Sequence, residues 1–258
     1  IVSGIYGVML AIVQHNLKRL LAYHSIENIG IIGIGIGIGC IGVGMENQLL
    51  AVLGFAGALL HTLNHSLFKS LLFYGAGNVY QSTHTMDIEK LGGLSKQMPH
   101  TAFLFLMSAL AICGLPPFNG FISEFLIYNG LFTGLYASDN ALTLSVVSGI
   151  FALALIGGLA MLCFTKAFGS VFLGTARYNL QHPAEESNFG KLMPMYAVFI
   201  LIIAIGLFPK PFVIALSEPL HLFTYHLHNN IPLERLQITA TMSMIGWCSV
   251  AFSGMAGL

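Results

Sequence analysis

Charge is what this sequence has least of. Only 8% of its 258 residues are Asp, Glu, Lys or Arg, against about 25% in soluble domains. Ten basic and ten acidic side chains leave a formal net charge of zero, so nothing in the balance points to nucleic acid as a partner. Cysteine is sparse too. Cys40, Cys113, Cys163 and Cys248 stand singly in apolar stretches with no metal-ligand spacing, which argues against a disulfide framework or zinc site and leaves them as small core residues. No polar stretch is long enough for a soluble domain that could hold a nucleotide or redox centre. The longest, residues 81–99, 174–191 and about 209–236, are expected as loops or surface-lying helices. Neither a protease dyad nor a zinc motif is present. The chain is therefore expected to have no catalytic centre, cofactor or metal of its own.

What is abundant is apolar side chain: 56% of residues, with a mean hydropathy of +0.81. Too few polar groups remain to cover the surface of a water-soluble globule, so lipid is the expected solvent. A helical span needs about 20 mainly apolar residues to cross ~30 Å of hydrocarbon. By that measure eight helical segments are expected, near residues 1–13, 25–44, 49–80, 100–115, 117–136, 142–173, 192–208 and 237–255. The fold class is all-α: one polytopic transmembrane bundle over residues 1–258, with about seven or eight spans and at least one broken helix. Helix is required because lipid offers no partner for open backbone.

The stretch "GIIGIGIGIGCIGVG" alternates with period two. In water that pattern suggests a strand. In lipid it reads as a helix with small-residue faces, Gly33/Gly37 and Gly35/Gly39, for close packing. With this helix count, Lys18, Arg19, Lys90, Lys96, Lys210 and Arg235 fall on one side and Arg177 and Lys191 on the other, which assigns the richer side to the cytoplasm. Ile1 opens in mid-helix and Leu258 closes within an apolar run, so a piece of a longer protein is expected.

The sharpest chemical signal lies in "HTLNHSLFKSLLFYGAGN". His61, His65 and Lys69 stand at i, i+4 and i+8, one face of one helix, over about 12 Å of its axis. An ionisable group deep in a span costs roughly 2.5–3.5 kcal/mol or more, so it normally faces protein or water and marks a pathway. Histidine exchanges protons near neutrality, and three such groups in a row could hand a proton along, with Asn64 and Ser66 adding hydrogen-bonding groups. The plainer reading is that the histidines are core residues bonded across helices. A mid-span lysine has fewer structural explanations.

A second signal is "CGLPPFNGFISEFLIYNG". Pro116, Pro117 and Gly120 interrupt a helix, freeing backbone groups that are tolerated at membrane depth only beside protein or water. Glu124 follows as a plausible proton acceptor or gate, or simply as an acid favoured near a helix start. A third is "NLKRLLAYHSIENIG", where His24 and Glu27 on the first turn of the next span could mark a proton entrance or form an interfacial hydrogen-bonded pair. Lys166 reads as a snorkelling lysine. His221, His226 and His228 read as solvated loop residues, and His84 and His100 as loop-edge ones.

Taken together, "LKRLLAYHSIENIGI", "HTLNHSLFKSLLFYGAGNV", "LGGLSKQMP" and "GLPPFNGFISEFLIY" resemble the proton-conducting antiporter-like membrane subunits of respiratory complex I and group-4 hydrogenases. The "AYHSIENIG" form is similar to the hydrogenase-4 component B/formate hydrogenlyase subunit 3 branch, where complex I subunits more usually read "AYST" or "AYSS". The resemblance covers about residues 11–210. It implies two inverted repeats, each with a broken helix and charged groups near the membrane midplane. Lys69 matches the central lysine, with His61 and His65 its neighbours, and Glu124 matches the charged position on the later broken helix. The family's earlier half carries a glutamate and a lysine on upstream helices that have no counterpart in this sequence. The bundle thus corresponds to the second repeat plus C-terminal helices, half a proton route that should not pump alone.

The function implied is proton translocation through Lys69, His65, His61, Glu124, His24 and Glu27. The chain would be a membrane-arm subunit of a hydrogenase or complex I-like oxidoreductase in a bacterial or archaeal cytoplasmic membrane, with other membrane subunits and the lipid bilayer as partners. Two alternatives are a stand-alone Na⁺/H⁺ antiporter, which would show sodium-dependent ΔpH without a redox substrate, and a passive anchor for a peripheral oxidoreductase, which Lys69 argues against.

Overall fold

A computed structural model describes residues 1–137, 140–177, 183–225, 227 and 238–256. His226, His228 and Arg235 lie outside the described residues. Ten α-helices follow one another: α1 (Val2–Ile12), α2 (Leu17–Gly44), α3 (Gln48–Thr83), α4 (Pro99–Ile112), α5 (Asn119–Ala137), α6 (Asn140–Phe172), α7 (Phe189–Leu207), α8 (Pro209–Ala215), α9 (Ser217–Thr224) and α10 (Ile238–Ala256). Among the described residues there is no strand, only an isolated bridge between Asn16 and Asp87. Among the described residues four stretches are long and apolar enough to cross a membrane: Leu17–Gly44, Gln48–Thr83, Leu142–Phe172 and Phe189–Leu207.

The central element is α3. Its 36 residues reach about 54 Å at 1.5 Å per residue, well beyond the hydrocarbon thickness. Asn47 starts it by accepting a hydrogen bond from Leu50 N at 3.1 Å, the usual remedy for an open helix N-terminus. Helix α2 packs against it through glycine. An added Cβ at Gly35 would stand 3.0 Å from Ala58 Cβ, and one at Gly39 would stand 2.7 Å from the Phe55 ring, so the two backbones approach at a distance only small residues allow. The other expected face is not used. Gly33 and Gly37 have nothing within 4 Å of a built Cβ and look outward.

The break expected at the proline pair is present, with a cis bond between Pro116 and Pro117. The two helices flanking it run end to end along α3 in one direction. Thr101 meets Asn78, Ser108 donates to Phe68 O, Asn119 meets Asn64, and further down a Cβ at Gly57 would stand 2.7 Å from Ile127 and one at Gly130 3.5 Å from Leu53. Helices α4 and α5 therefore form a single interrupted crossing antiparallel to α3.

That geometry changes the sidedness expected from sequence. Residues 84–98, 173–177 and 183–191 share one end of the bundle: Gly93 N donates to Leu173 O at 2.9 Å, Arg177 to Ile88 O at 3.4 Å, and Lys191 Nζ to Gln81 Oε1 at 2.5 Å. Arg177 and Lys191 thus join Lys18, Arg19, Lys90 and Lys96 rather than opposing them. With α4 and α5 as one crossing rather than two, every later helix runs opposite to the expected direction, and Lys210, beyond the far end of α7, falls at the other end of the bundle.

Three apolar clusters hold the bundle. One packs Leu17, Leu20 and Leu21 with Phe68, Leu72, Phe105 and Phe172. Another joins Ala51–Leu60 positions of α3 to Ile122, Leu126 and Ile205. The third sets Val8, Ile34 and Ile38 against Ile127, Leu131 and Ile156. Large apolar residues such as Tyr6, Ile29, Ile36, Phe132, Phe151 and Trp247 stay exposed, as a lipid-facing surface requires. Two cysteines expected in the core are on that surface: Cys40 and Cys248 are exposed, Cys113 is half-buried, and only Cys163 is buried.

Candidate functional site

Between the apolar clusters lies a layer of buried polar side chains from α2, α3 and α5: His24, Glu27, Asn28, His61, Asn64, Lys69, Asn119 and Ser123. The α3 members straddle the helix midpoint, so the layer sits at mid-depth. Hydrogen bonds from two neighbouring helices converge on His61, which is fully buried. Its Nδ1 is 2.9 Å from Ser123 Oγ on α5, and its Nε2 is 3.1 Å from Asn28 Oδ1 on α2. Asn28 is held in turn by donating from Nδ2 to His24 O at 2.8 Å.

Asn64 and Asn119 form a reciprocal pair at the helix break. Asn64 Nδ2 donates to Asn119 O at 2.7 Å and to Ser123 Oγ at 3.0 Å, while Asn119 Nδ2 donates back to Asn64 Oδ1 at 3.1 Å. Backbone freed at an interrupted helix needs such partners. Ser66, expected beside them, is exposed on the opposite side and bonds Leu63 O in its own helix at 2.7 Å.

The rest of the α3 row is less tied down. His65 is half-buried, its ring set edge-on to Phe68 with centroids 5.7 Å apart. Lys69 is 6% exposed, and among the described residues no group accepts a hydrogen bond from its Nζ. Its Nζ lies 5.9 Å from the centroid of the Phe73 ring. Across the bundle, Glu27 on α2 lies within electrostatic reach of it.

His24 and Glu27 are not on an entrance turn. Helix α2 begins at Leu17, eight residues before the start expected at residue 25, because Asn16 caps it by accepting from Arg19 N at 3.1 Å. Interfacial Lys18 and Arg19 therefore belong to the first turn, and the pair lies two to three turns deeper. Both side chains are essentially inaccessible, and they are bonded to each other through His24 Nδ1 and Glu27 Oε2. The imidazole of His24 stacks on Phe164 with centroids 4.5 Å apart. Close approach of α1 secures the turn: a Cβ at Gly7 would stand 2.6 Å from Glu27 N.

Glu124 follows the break on α5, half-buried, its carboxylate lying over the bare Cα of Gly114, whose φ of 64° is a left-handed conformation that glycine adopts without strain. It makes no direct hydrogen bond among the described residues, but it lies within electrostatic reach of Glu27. Glu27 thus acts on both Lys69 and Glu124. Lys166 does more than snorkel: its Nζ donates to Ile12 O at 2.9 Å and Gln14 O at 3.4 Å, tying α6 to the carbonyl end of α1. His84 ends α3 in a left-handed conformation, His100 bonds Tyr196 at 2.7 Å, and His221 is exposed on α9.

Asn28, Asn119 and Ser123 were not singled out from the sequence. The available signal was their polarity inside apolar runs. What each bonds to is set by residues 33 to 62 positions away.

The chain is similar to known proteins. Over 206 residues the chain is 41% identical to hydrogenase-4 component B of Escherichia coli, covering 80% of this chain and 31% of that protein. Over 204 residues it is 42% identical to formate hydrogenlyase subunit 3 of the same organism, covering 78% and 33%. The chain spans about a third of the length of these relatives. Among solved structures it is similar to a chain of the membrane-bound sulfane sulfur reductase, an archaeal respiratory membrane complex, with a TM-score of 0.69 and 26% identity over 84% of this chain and 32% of that one. Residues 1–152 match the family described as NADH:quinone oxidoreductase/Mrp antiporter, transmembrane. That match takes in α1 to α5 and every buried polar residue of the mid-depth layer, and the chain belongs to this family.

Proposed function

We propose that the chain carries protons across a membrane through the row His61, His65 and Lys69, with Glu124 as the onward gate and the buried His24–Glu27 pair as the group that feeds it. The observation that carries this reading is Lys69: a lysine 6% exposed at mid-depth, with no protein acceptor for its Nζ among the described residues. A lysine kept for structure would be paired or would reach the interface. Glu27, acting on both Lys69 and Glu124, supports a continuous charged line from α2 through α3 to α5.

In this reading the bundle is the second inverted repeat of the family fold with its C-terminal helices. It works as a membrane-arm subunit of a hydrogenase or complex I-like assembly in a bacterial or archaeal cytoplasmic membrane. Partner subunits perform the electron transfer, and the rest of the proton route belongs to other parts of the assembly. The end that gathers Lys18, Arg19, Lys90, Lys96, Arg177 and Lys191 faces the cytoplasm, by the positive-inside rule.

The test is Lys69→Ala in the assembled complex, in sealed membrane vesicles supplied with the redox substrate. Proton uptake is expected to be lost while the subunit composition is unchanged. Uptake at the wild-type rate would refute the relay.

A further inference from the structure

We propose that Ser123 is a positioning residue whose hydroxyl turns between His61 Nδ1 and the Gly120 carbonyl, so that His61 is fully hydrogen-bonded both as neutral imidazole and as imidazolium. The inference rests on the relay reading above and adds to it how a buried histidine can change charge without moving a helix.

The argument starts from groups whose direction is fixed. Asn28 must point Nδ2 at His24 O, 2.8 Å away, because a carbonyl can only accept. Its Oδ1 is then the atom 3.1 Å from His61 Nε2, so Nε2 carries hydrogen in every state. Asn64 is fixed in the same way by Asn119 O at 2.7 Å, so its amide donates to Ser123 Oγ at 3.0 Å. That leaves Ser123 with one hydrogen and two acceptors for it: His61 Nδ1 at 2.9 Å and Gly120 O at 3.0 Å.

Two states follow. In neutral His61, Nδ1 is a bare acceptor and the Ser123 hydroxyl donates to it. When His61 gains a proton from a neighbouring acid of the row, such as the His65 imidazolium, that acid becomes neutral and the new hydrogen resides on Nδ1. Nδ1–H then donates to Ser123 Oγ, and the hydroxyl hydrogen swings to Gly120 O. Loss of the proton reverses each change. Both ring nitrogens of His61 and the Ser123 hydroxyl keep a partner in both states, which matters because an unpaired polar group in such a layer costs far more than a hydrogen bond returns. The titratable groups on the helices that meet here are His65 and Lys69 on α3, His24 and Glu27 on α2, and Glu124 beside Ser123 on α5. None of them bonds His61 directly among the described residues.

Histidine-labelled protein in its own membrane, observed by ¹⁵N solid-state NMR with His61→Gln as the assignment control, reads the tautomer. Neutral His61 is expected as the Nε2–H form; the Nδ1–H form would overturn the proposal. In vesicles, Ser123→Ala should slow proton movement about tenfold or more, as expected for losing a hydrogen bond to a charged group, with normal assembly. Ser123→Thr, which keeps the hydroxyl, should restore most of the rate. Ser123→Ala at the wild-type rate beside an impaired His61→Gln sinks the hydroxyl's role and leaves the relay standing. His61→Gln at the wild-type rate sinks the relay at this residue and the proposal with it. Thr no better than Ala, in a normally assembled protein, assigns Ser123 to packing and likewise overturns it.

Discussion

At the scale of single residues, the polar layer depends on amides whose orientation leaves no choice. Asn64 serves three partners at once, the Asn119 carbonyl, the Asn119 side chain and Ser123. Replacing it with leucine strands buried groups on α5, which costs about 1–3 kcal/mol. Denaturation of Asn64→Leu in mild detergent should show that loss, and proton movement should fall with it because Ser123 loses its fixed donor. Lys166 carries a different task. Lys166→Met removes the donor to the carbonyl end of α1 and should destabilise the protein while leaving residual transport intact, whereas Lys166→Arg should retain most of the stability.

The site's titratable residues were legible in the sequence for a simple reason. A helix repeat places i, i+4 and i+8 on one face whatever surrounds it, so His61, His65 and Lys69 declare themselves. Their partners could not be read. Asn28 and Ser123 matter only because α2 and α5 close on either side of His61, and nothing local encodes that meeting. His24 and Glu27 were misplaced toward the surface because Lys18 and Arg19 break the apolar pattern, although Asn16 had already begun the helix.

At the scale of helices, glycine divides α2 into an inner and an outer face. A Cβ at Gly54 of α3 would meet Gly39 N and stand 2.8 Å from Gly35 O, backbone that cannot step aside. Gly54→Leu should prevent stable assembly, read as loss of the protein from the membrane fraction. Gly33→Leu, where a Cβ meets nothing within 4 Å, should assemble and conduct like the wild type. Composition alone offered both faces as packing surfaces, since a period-two glycine run repeats around the whole helix and the partner's side is decided by α3. The proline pair was clear in sequence as an interruption. What was not clear was that both halves continue along the same neighbour, because the 14 residues of α4 and the 19 of α5 each approach the length of a span.

At the scale of the whole molecule, that single crossing gathers Lys18, Arg19, Lys90, Lys96, Arg177 and Lys191 at one end. Cysteines introduced at Lys96 and at Arg177, in a background without the exposed Cys40 and Cys248, should both react with a membrane-impermeant maleimide from the same side. Reaction from opposite sides would show that α4 and α5 cross separately. Fold class and the membrane setting were both visible in the scarcity of charge, because lipid leaves a chain this apolar few alternatives.

The same end carries a strap. Glu186, in the segment between α6 and α7, accepts hydrogen bonds from His100 N at 2.8 Å, Thr101 N at 3.1 Å and Thr101 Oγ1 at 2.6 Å, a carboxylate seated on the first turn of α4 where open amides welcome negative charge. Thr101 also takes the side chain of Asn78 on α3, at 3.2 Å. A surface segment is thereby moored to the outer half of the interrupted helix whose inner half begins at Asn119 and holds Ser123. A load on this rim would pass, through one carboxylate, to the helix break beside His61, His65 and Lys69.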